Sequence, residues 1–154
     1  MKKLIFAMIL LLNYIYAAQV EITSKEFFAD EGKMITEFVG DVVIVKEKDR
    51  LRADKILVNF DDKRQPLKYT ATGNVKAKIL MENKTYDISG NNLTYEPNED
   101  RYILTSNAFL HEIDTDKKVY GDKIEVNQRT GQYKVDGKDK APVKFIFQIE
   151  DKKK

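Results

Sequence analysis

Cysteine is absent from the 154-residue sequence, and histidine occurs once, as His111. Without cysteine there is no disulfide framework, no thiol nucleophile, no thiolate metal site and no acceptor for a lipoprotein acyl anchor. With one histidine, the Ser/His/Asp and Cys/His constellations and the histidine-based zinc sites lack their parts. His111 stands beside Glu112 in an expected strand, where a lone histidine is an ordinary surface or core residue. Carboxylate pairs do occur, Asp61/Asp62 and Asp114/Asp116. They fall at turn positions, where aspartate is favoured because its side chain bonds the local backbone. A two-carboxylate glycosidase needs its acids focused in one cleft, and nothing in the pattern does that. The sequence predicts no catalytic residue, no metal and no cofactor.

An excess of one charge is missing too. Lys and Arg number 27 against 25 Asp and Glu, and without Lys2 and Lys3 the two signs are equal. A neutral, evenly mixed surface has no long-range field for DNA or RNA, so nucleic acid is excluded as a partner. The one local run, Lys152 to Lys154, belongs to a charged disordered tail over 150–154.

Nor is there an apolar run of the roughly 20 residues that span a bilayer. The longest, Leu4 to Leu12 with a loose extension to Tyr16, is broken by Asn13. It follows Lys2 and Lys3 and precedes Ala17 and Ala18, so residues 1–18 read as a secretory signal cleaved near Ala17/Ala18. Ile15 or Tyr16 occupies the place of a second small residue, which leaves an uncleaved anchor as the competing reading. Cleavage would release a soluble protein outside the cytoplasm.

Helical periodicity is hard to find after that segment. In its place are short stretches rich in Val, Ile, Tyr, Phe and Thr, such as Val42–Val45, Ile56–Phe60, Tyr102–Thr105 and Phe145–Phe147. Turn signals separate them at Glu31-Gly32, Asp61-Asp62-Lys63, Glu82-Asn83-Lys84, Pro97 to Asp100, Thr115-Asp116-Lys117 and Thr130-Gly131. An all-β chain of about 14–16 short antiparallel strands follows from usual strand and loop lengths.

An internal repeat is more informative. Gly40-Asp41-Val42, Gly73-Asn74-Val75 and Ser106-Asn107-Ala108 recur at intervals of 33 residues. Between them runs a second pattern, small-polar-polar-apolar: Ser24-Lys25-Glu26-Phe27, Ala53-Asp54-Lys55-Ile56, Gly90-Asn91-Asn92-Leu93 and Gly121-Asp122-Lys123-Ile124. Two patterns in step imply stacked units of about 33 residues, each burying its apolar face against its neighbours.

A strand sends alternate side chains to opposite faces. After each small-polar-polar corner the apolar residues keep one parity: Phe27; Ile56, Val58 and Phe60; Leu93 and Tyr95; Ile124 and Val126. The other parity carries Lys55, Asn59, Asn92, Thr94, Lys123 and Glu125. Stacking would build an apolar wall. Periodicity leaves two uses open for that wall, a closed sandwich core or an open groove.

The residues Gly40-Asp41-Val42-Val43-Ile44, Leu51 to Ile56, Leu104 to Leu110 and Val119 to Ile124 together resemble the OstA-like family, over about Gln19 to Phe147. Ser106 departs from it, standing where the family tends to have glycine. The resemblance implies an open, V-shaped β-jellyroll over 19–149, in the periplasm, binding the acyl chains of lipopolysaccharide in a greasy trough. The groove-lining residues would be Ile22, Phe27, Ile44, Ile56, Val58, Phe60, Leu93, Tyr95, Ile124 and Val126. The implied partners are further copies head to tail, with inner-membrane LptC-like and outer-membrane LptD-like proteins. The joint between copies would use Val20, Ile22, Val143, Phe145 and Phe147. An anchored LptC-like component and a closed structural envelope protein are the alternatives.

Overall fold

The computed structural model describes residues 19–152. The expected signal at 1–18 and the last two residues of the charged tail lie outside that range. Within it no helix forms, and residues 150–152 are exposed and without regular structure.

The described residues form ten antiparallel strands in one open sheet. They are β1 (Val20–Thr23), β2 (Glu26–Asp30), β3 (Ile35–Lys46), β4 (Asp49–Phe60), β5 (Pro66–Met81), β6 (Lys84–Glu96), β7 (Arg101–Glu112), β8 (Lys117–Asn127), β9 (Gln132–Asp136) and β10 (Lys144–Ile146). From β3 to β8 each strand pairs with the next through a hairpin. At one edge β1 and β2 both pair with β3, and at the other β9 and β10 both pair with β8. The two edges do not meet.

The repeat motifs are not hairpin turns. Each lies in the middle of a long strand, where it bends the sheet. Val39 pairs with Lys55 and Val42 with Ala53, so Gly40 and Asp41 oppose Asp54 alone. Gly73 and Asn74 oppose Asn91 in the same way, and Ser106 and Asn107 oppose Asp122. The odd strands thus carry one extra residue at the crossing, which is the geometry of a β-bulge. All six residues at these bulge positions have positive φ: Gly40 85°, Asp41 44°, Gly73 81°, Asn74 48°, Ser106 61° and Asn107 54°. Left-handed backbone suits Gly, Asn and Asp, which explains the residue types of the motif. The two interleaved patterns are the two sides of one line of corners.

The corner line divides the sheet into two leaves. Ten strands form in place of the expected 14–16 short ones, because six of them, 11–16 residues long, run through the corner without a break in the chain's strand path. Both leaves turn their apolar parity inward, giving a V-shaped, open β-jellyroll. Nearest the corner on the second leaf, one cross-strand row runs Phe27, Phe38, Ile56, Ala71, Leu93, Leu104, Ile124 and Val135. On the first leaf the facing row runs Ile22, Ile44, Leu51, Ala77, Ile88, Leu110, Val119 and Phe145. Ile56, Leu93, Leu104 and Ile124 are all buried. Full burial of such a side chain is worth about 1.5–3 kcal/mol, so these rows hold the leaves together.

Candidate functional site

Between the leaves the apolar faces do not close completely. A cavity of about 770 Å³ opens there, within the roughly 300–1,000 Å³ range of small-molecule sites. Its first-leaf wall includes Val20, Ile22, Ile44, Leu51 and Ile79, and its second-leaf wall Ile56, Ala71 and Leu93.

Polarity changes with distance from the corner. Ile56, Ala71 and Leu93 stand two residues from the bends, and there the wall is aliphatic. Four residues out, Tyr69, Tyr95 and Tyr102 occupy one cross-strand row. Their rings stack, with centroids 6.1 Å apart between Tyr69 and Tyr95 and 4.4 Å between Tyr95 and Tyr102. Beyond them the hairpin ends supply Lys46, Asp49 and Arg50 on one rim and Asp61, Gln65 and Asn98 on the other. The site is an amphipathic trough, greasy within and charged at the lip.

Burial raises the pKa of all three tyrosines, and the Asp100 carboxylate adds to the effect at Tyr95. At Tyr102 the neighbouring Tyr95, Asp100 and Asp49 reinforce burial. The phenols therefore stay neutral at physiological pH. Such a ring offers an apolar body and a polar tip, which suits a boundary between hydrocarbon and water.

A polar cluster lies at the hairpin end of the first leaf. The Tyr86 hydroxyl donates to Glu112 Oε2 at 3.2 Å, Thr115 Oγ1 donates to Oε1 at 2.6 Å, and Lys84 Nζ lies 3.1 Å from Oε1. Burial works against the Glu112 carboxylate. The hydrogen bonds from Thr115 and Lys84 and the charges of Lys84 and Lys117 outweigh it, so its pKa is lowered. Burial first, then the Glu112 charge, pushes the Tyr86 phenol up to about 12.

A family model described as LptA/(LptD N-terminal domain) LPS transport protein matches residues 21–132. The chain belongs to this lipopolysaccharide-transport family. The fold agrees with it. The crystal structure of LptH from Pseudomonas aeruginosa, described as the LptA homologous periplasmic component of the lipopolysaccharide transport device, superposes with a TM-score of 0.72. The alignment covers 85% of this chain and 96% of that one at 13% identity. Comparison with curated proteins at the sequence level finds no match.

The family is one of transport proteins and not of enzymes. His111 Nε2 lies 2.8 Å from Asp116 Oδ1, at the β7–β8 hairpin. Among the described residues no group of His, Asp and Glu is arranged to hold a metal ion.

Of the ten expected groove residues, Ile22, Ile44, Ile56, Leu93 and Tyr95 line the LptA-like trough. Val58, Ile124 and Val126 are buried on the same inward face, away from the cavity, and Phe60 is half-buried there. Phe27 ends the inward row at the sheet edge, packed at 5.2 Å on Phe38 and 63% exposed. Sequence reasoning missed Leu51, Tyr69, Ala71, Ile79 and Tyr102. The signal was available for three of them: counted backward from Gly73, Ala71 and Tyr69 have the inward parity, and Tyr102 has it before Ser106.

Proposed function

We propose that this chain carries lipopolysaccharide across the periplasm from the inner to the outer membrane, sheltering its acyl chains in the trough. The observation that supports this is the polarity gradient of the cavity, aliphatic toward the corner line and charged at the rims. Each exposed acyl methylene costs roughly 0.8 kcal/mol in water, so a chain of about a dozen carbons costs on the order of 10 kcal/mol. A trough that exchanges water contact for aliphatic contact offsets this with little directional demand, and weak specificity suits a cargo that must be released. The sugars remain at the lip and in solvent. A closed structural core would have no use for the cavity.

The carrier works as one segment of a bridge, meeting copies of itself, an LptC-like protein at the inner membrane and an LptD-like protein at the outer one. Both sheet edges leave backbone groups unpaired, and each carries exposed apolar residues, Val20, Phe27 and Phe28 on one and Val143, Phe145 and Phe147 on the other. Strand-to-strand pairing between unlike edges is β-augmentation, and repeated head to tail it yields open filaments.

Photo-crosslinkers at Ile44, Ile56 and Leu93, in the presence of lipopolysaccharide, should capture the lipid. Crosslinkers at the outward Lys55, Thr70 and Thr94 should not. Equal capture from both faces, or none from the inner one, refutes the carrier reading. N-terminal sequencing of the exported protein tests its release from the membrane, since retention of Met1 would indicate the anchored alternative.

A further inference from the structure

The charges that balance over the whole sequence are not evenly mixed over the surface. On the outward face of the first leaf, Arg50, Arg52, Lys76, Lys78, Lys118 and Lys144 share two cross-strand rows with only two acids, Glu21 and Asp87. Arg50 stands directly opposite Lys78 and Arg52 directly opposite Lys76. Like charges in that position repel. Lys78 has a partial partner in Asp87 at 3.9 Å. Among the described residues Arg50, Arg52 and Lys76 are in no ion pair. Lys118 lies 3.7 Å from Asp116, and Asp41, within reach of the Arg52 charge, is held by Lys25 at 2.9 Å.

The second leaf is built differently. Its outward Lys55, Lys123 and Lys134 are paired with Glu37, Glu125 and Asp136. The excess of cations therefore belongs to one face only, and it corrects the expectation of a uniformly neutral surface.

We infer that the outward face of the first leaf is a docking surface for a lipid bilayer bearing anionic phospholipid. Three features point to a planar partner. First, Arg50, Arg52, Lys76 and Lys78 border an open depression of about 360 Å³, but Lys118 and Lys144 lie outside it, so the charge extends beyond any one small ligand. Second, from β4 to β10 they are spread across five inter-strand steps of about 4.8 Å, roughly 24 Å in all. Third, Phe109 and Tyr120 lie side by side on the same face, ring centroids 4.8 Å apart, with Lys144 Nζ 5.5 Å from the Tyr120 ring centre. Aromatic rings beside cations match the headgroup layer of a membrane. Arg50 also borders the trough, so docking would set the lip of the trough beside the bilayer surface.

The test is co-sedimentation of the exported protein, as purified from the periplasm, with vesicles of phosphatidylcholine, alone or mixed with phosphatidylglycerol. Mixed vesicles should bind it at least about tenfold more tightly at about 20 mM salt, with the difference largely lost at about 300 mM. The variant R50Q/R52Q/K76Q/K78Q should lose that preference. The variant K55Q/K68Q/K123Q/K134Q, which changes net charge equally, should keep it. Circular dichroism checks that both retain the sheet. Equal loss in the two variants, or no preference in the wild type, overturns the inference. Binding of inorganic pyrophosphate to the quartet without vesicle binding also overturns it, assigning the face to a soluble anion.

Discussion

Asn74 Nδ2 donates a hydrogen bond to Asp54 Oδ2 at 3.0 Å across the corner line, and the same carboxylate fills the space where a side chain on Gly73 would begin. A Cβ at Gly73 would collide with Asp54 Oδ2, on a backbone with φ +81°. Gly73→Ala should therefore lose about 2–3 kcal/mol in urea unfolding, from left-handed strain and a displaced hydrogen bond. Gly131→Ala, with φ +70° but no atom within 4 Å, should lose only about 1 kcal/mol.

The third corner reverses the sign. Ser106 has φ 61°, a region that costs an L-residue about 1–2 kcal/mol. Ser106→Gly relieves that strain against about 0.4–1 kcal/mol of added unfolded-state freedom. A net stabilisation of about 0.5 kcal/mol, read as a raised urea midpoint, is the expected result.

These corners mark how far the sequence could be read. The repeat, its period and the inward parity after each corner were legible because Gly, Asn and Asp are the residues that tolerate positive φ. Their place in mid-strand was not legible, since a bulge and a hairpin draw on the same residues. Six of the seven hairpin turns announced themselves. The seventh, at Glu47-Lys48, did not, because Glu47 adopts φ 54° without a turn-forming side chain. The trough itself was beyond periodicity. Ile56 and Ile124 have the same parity and the same burial, yet only Ile56 borders the cavity, because the gap between the leaves is set by their separation.

Ala71 offers the most direct test of the trough. It is buried, lines the cavity and has little side chain of its own. Ala71→Phe places a ring in the space assigned to acyl chain. It should weaken binding of a fluorescent fatty-acid probe by about tenfold while changing stability by less than about 1.5 kcal/mol. Thr70→Phe, on the outward face, should leave probe affinity unchanged. Undiminished binding by the Ala71 variant would remove the cavity from the mechanism.

Strand β10 pairs with β8 alone, and its Phe145 and the adjoining Phe147 are more than half exposed. Removing the chain after Ala141 should abolish concentration-dependent elongation in light scattering, while the circular dichroism of the remaining sheet persists. Charge at the opposite edge, as in Phe28→Asp, should act in the same direction, because a head-to-tail joint needs both edges. Oligomers unchanged by either alteration would place the joint elsewhere.

Acid should reveal the contribution of the Glu112 charge. Its folded-state pKa is lowered from the ordinary 4.5, so the native state holds this carboxylate ionised more firmly than the unfolded chain does. The unfolded state then binds more protons as the pH falls, and the stabilisation, fully present above about pH 4.5, is lost as the pH drops through the folded-state value. In Glu112→Gln this contribution is gone at every pH. The variant should be less stable than wild type at pH 7, because Lys84 loses its partner. The gap between the two unfolding curves should narrow below pH 4.5. A gap that stays constant down to pH 3 would mean that the hydrogen bonds of Tyr86 and Thr115, and not the charge, hold this end of the first leaf together.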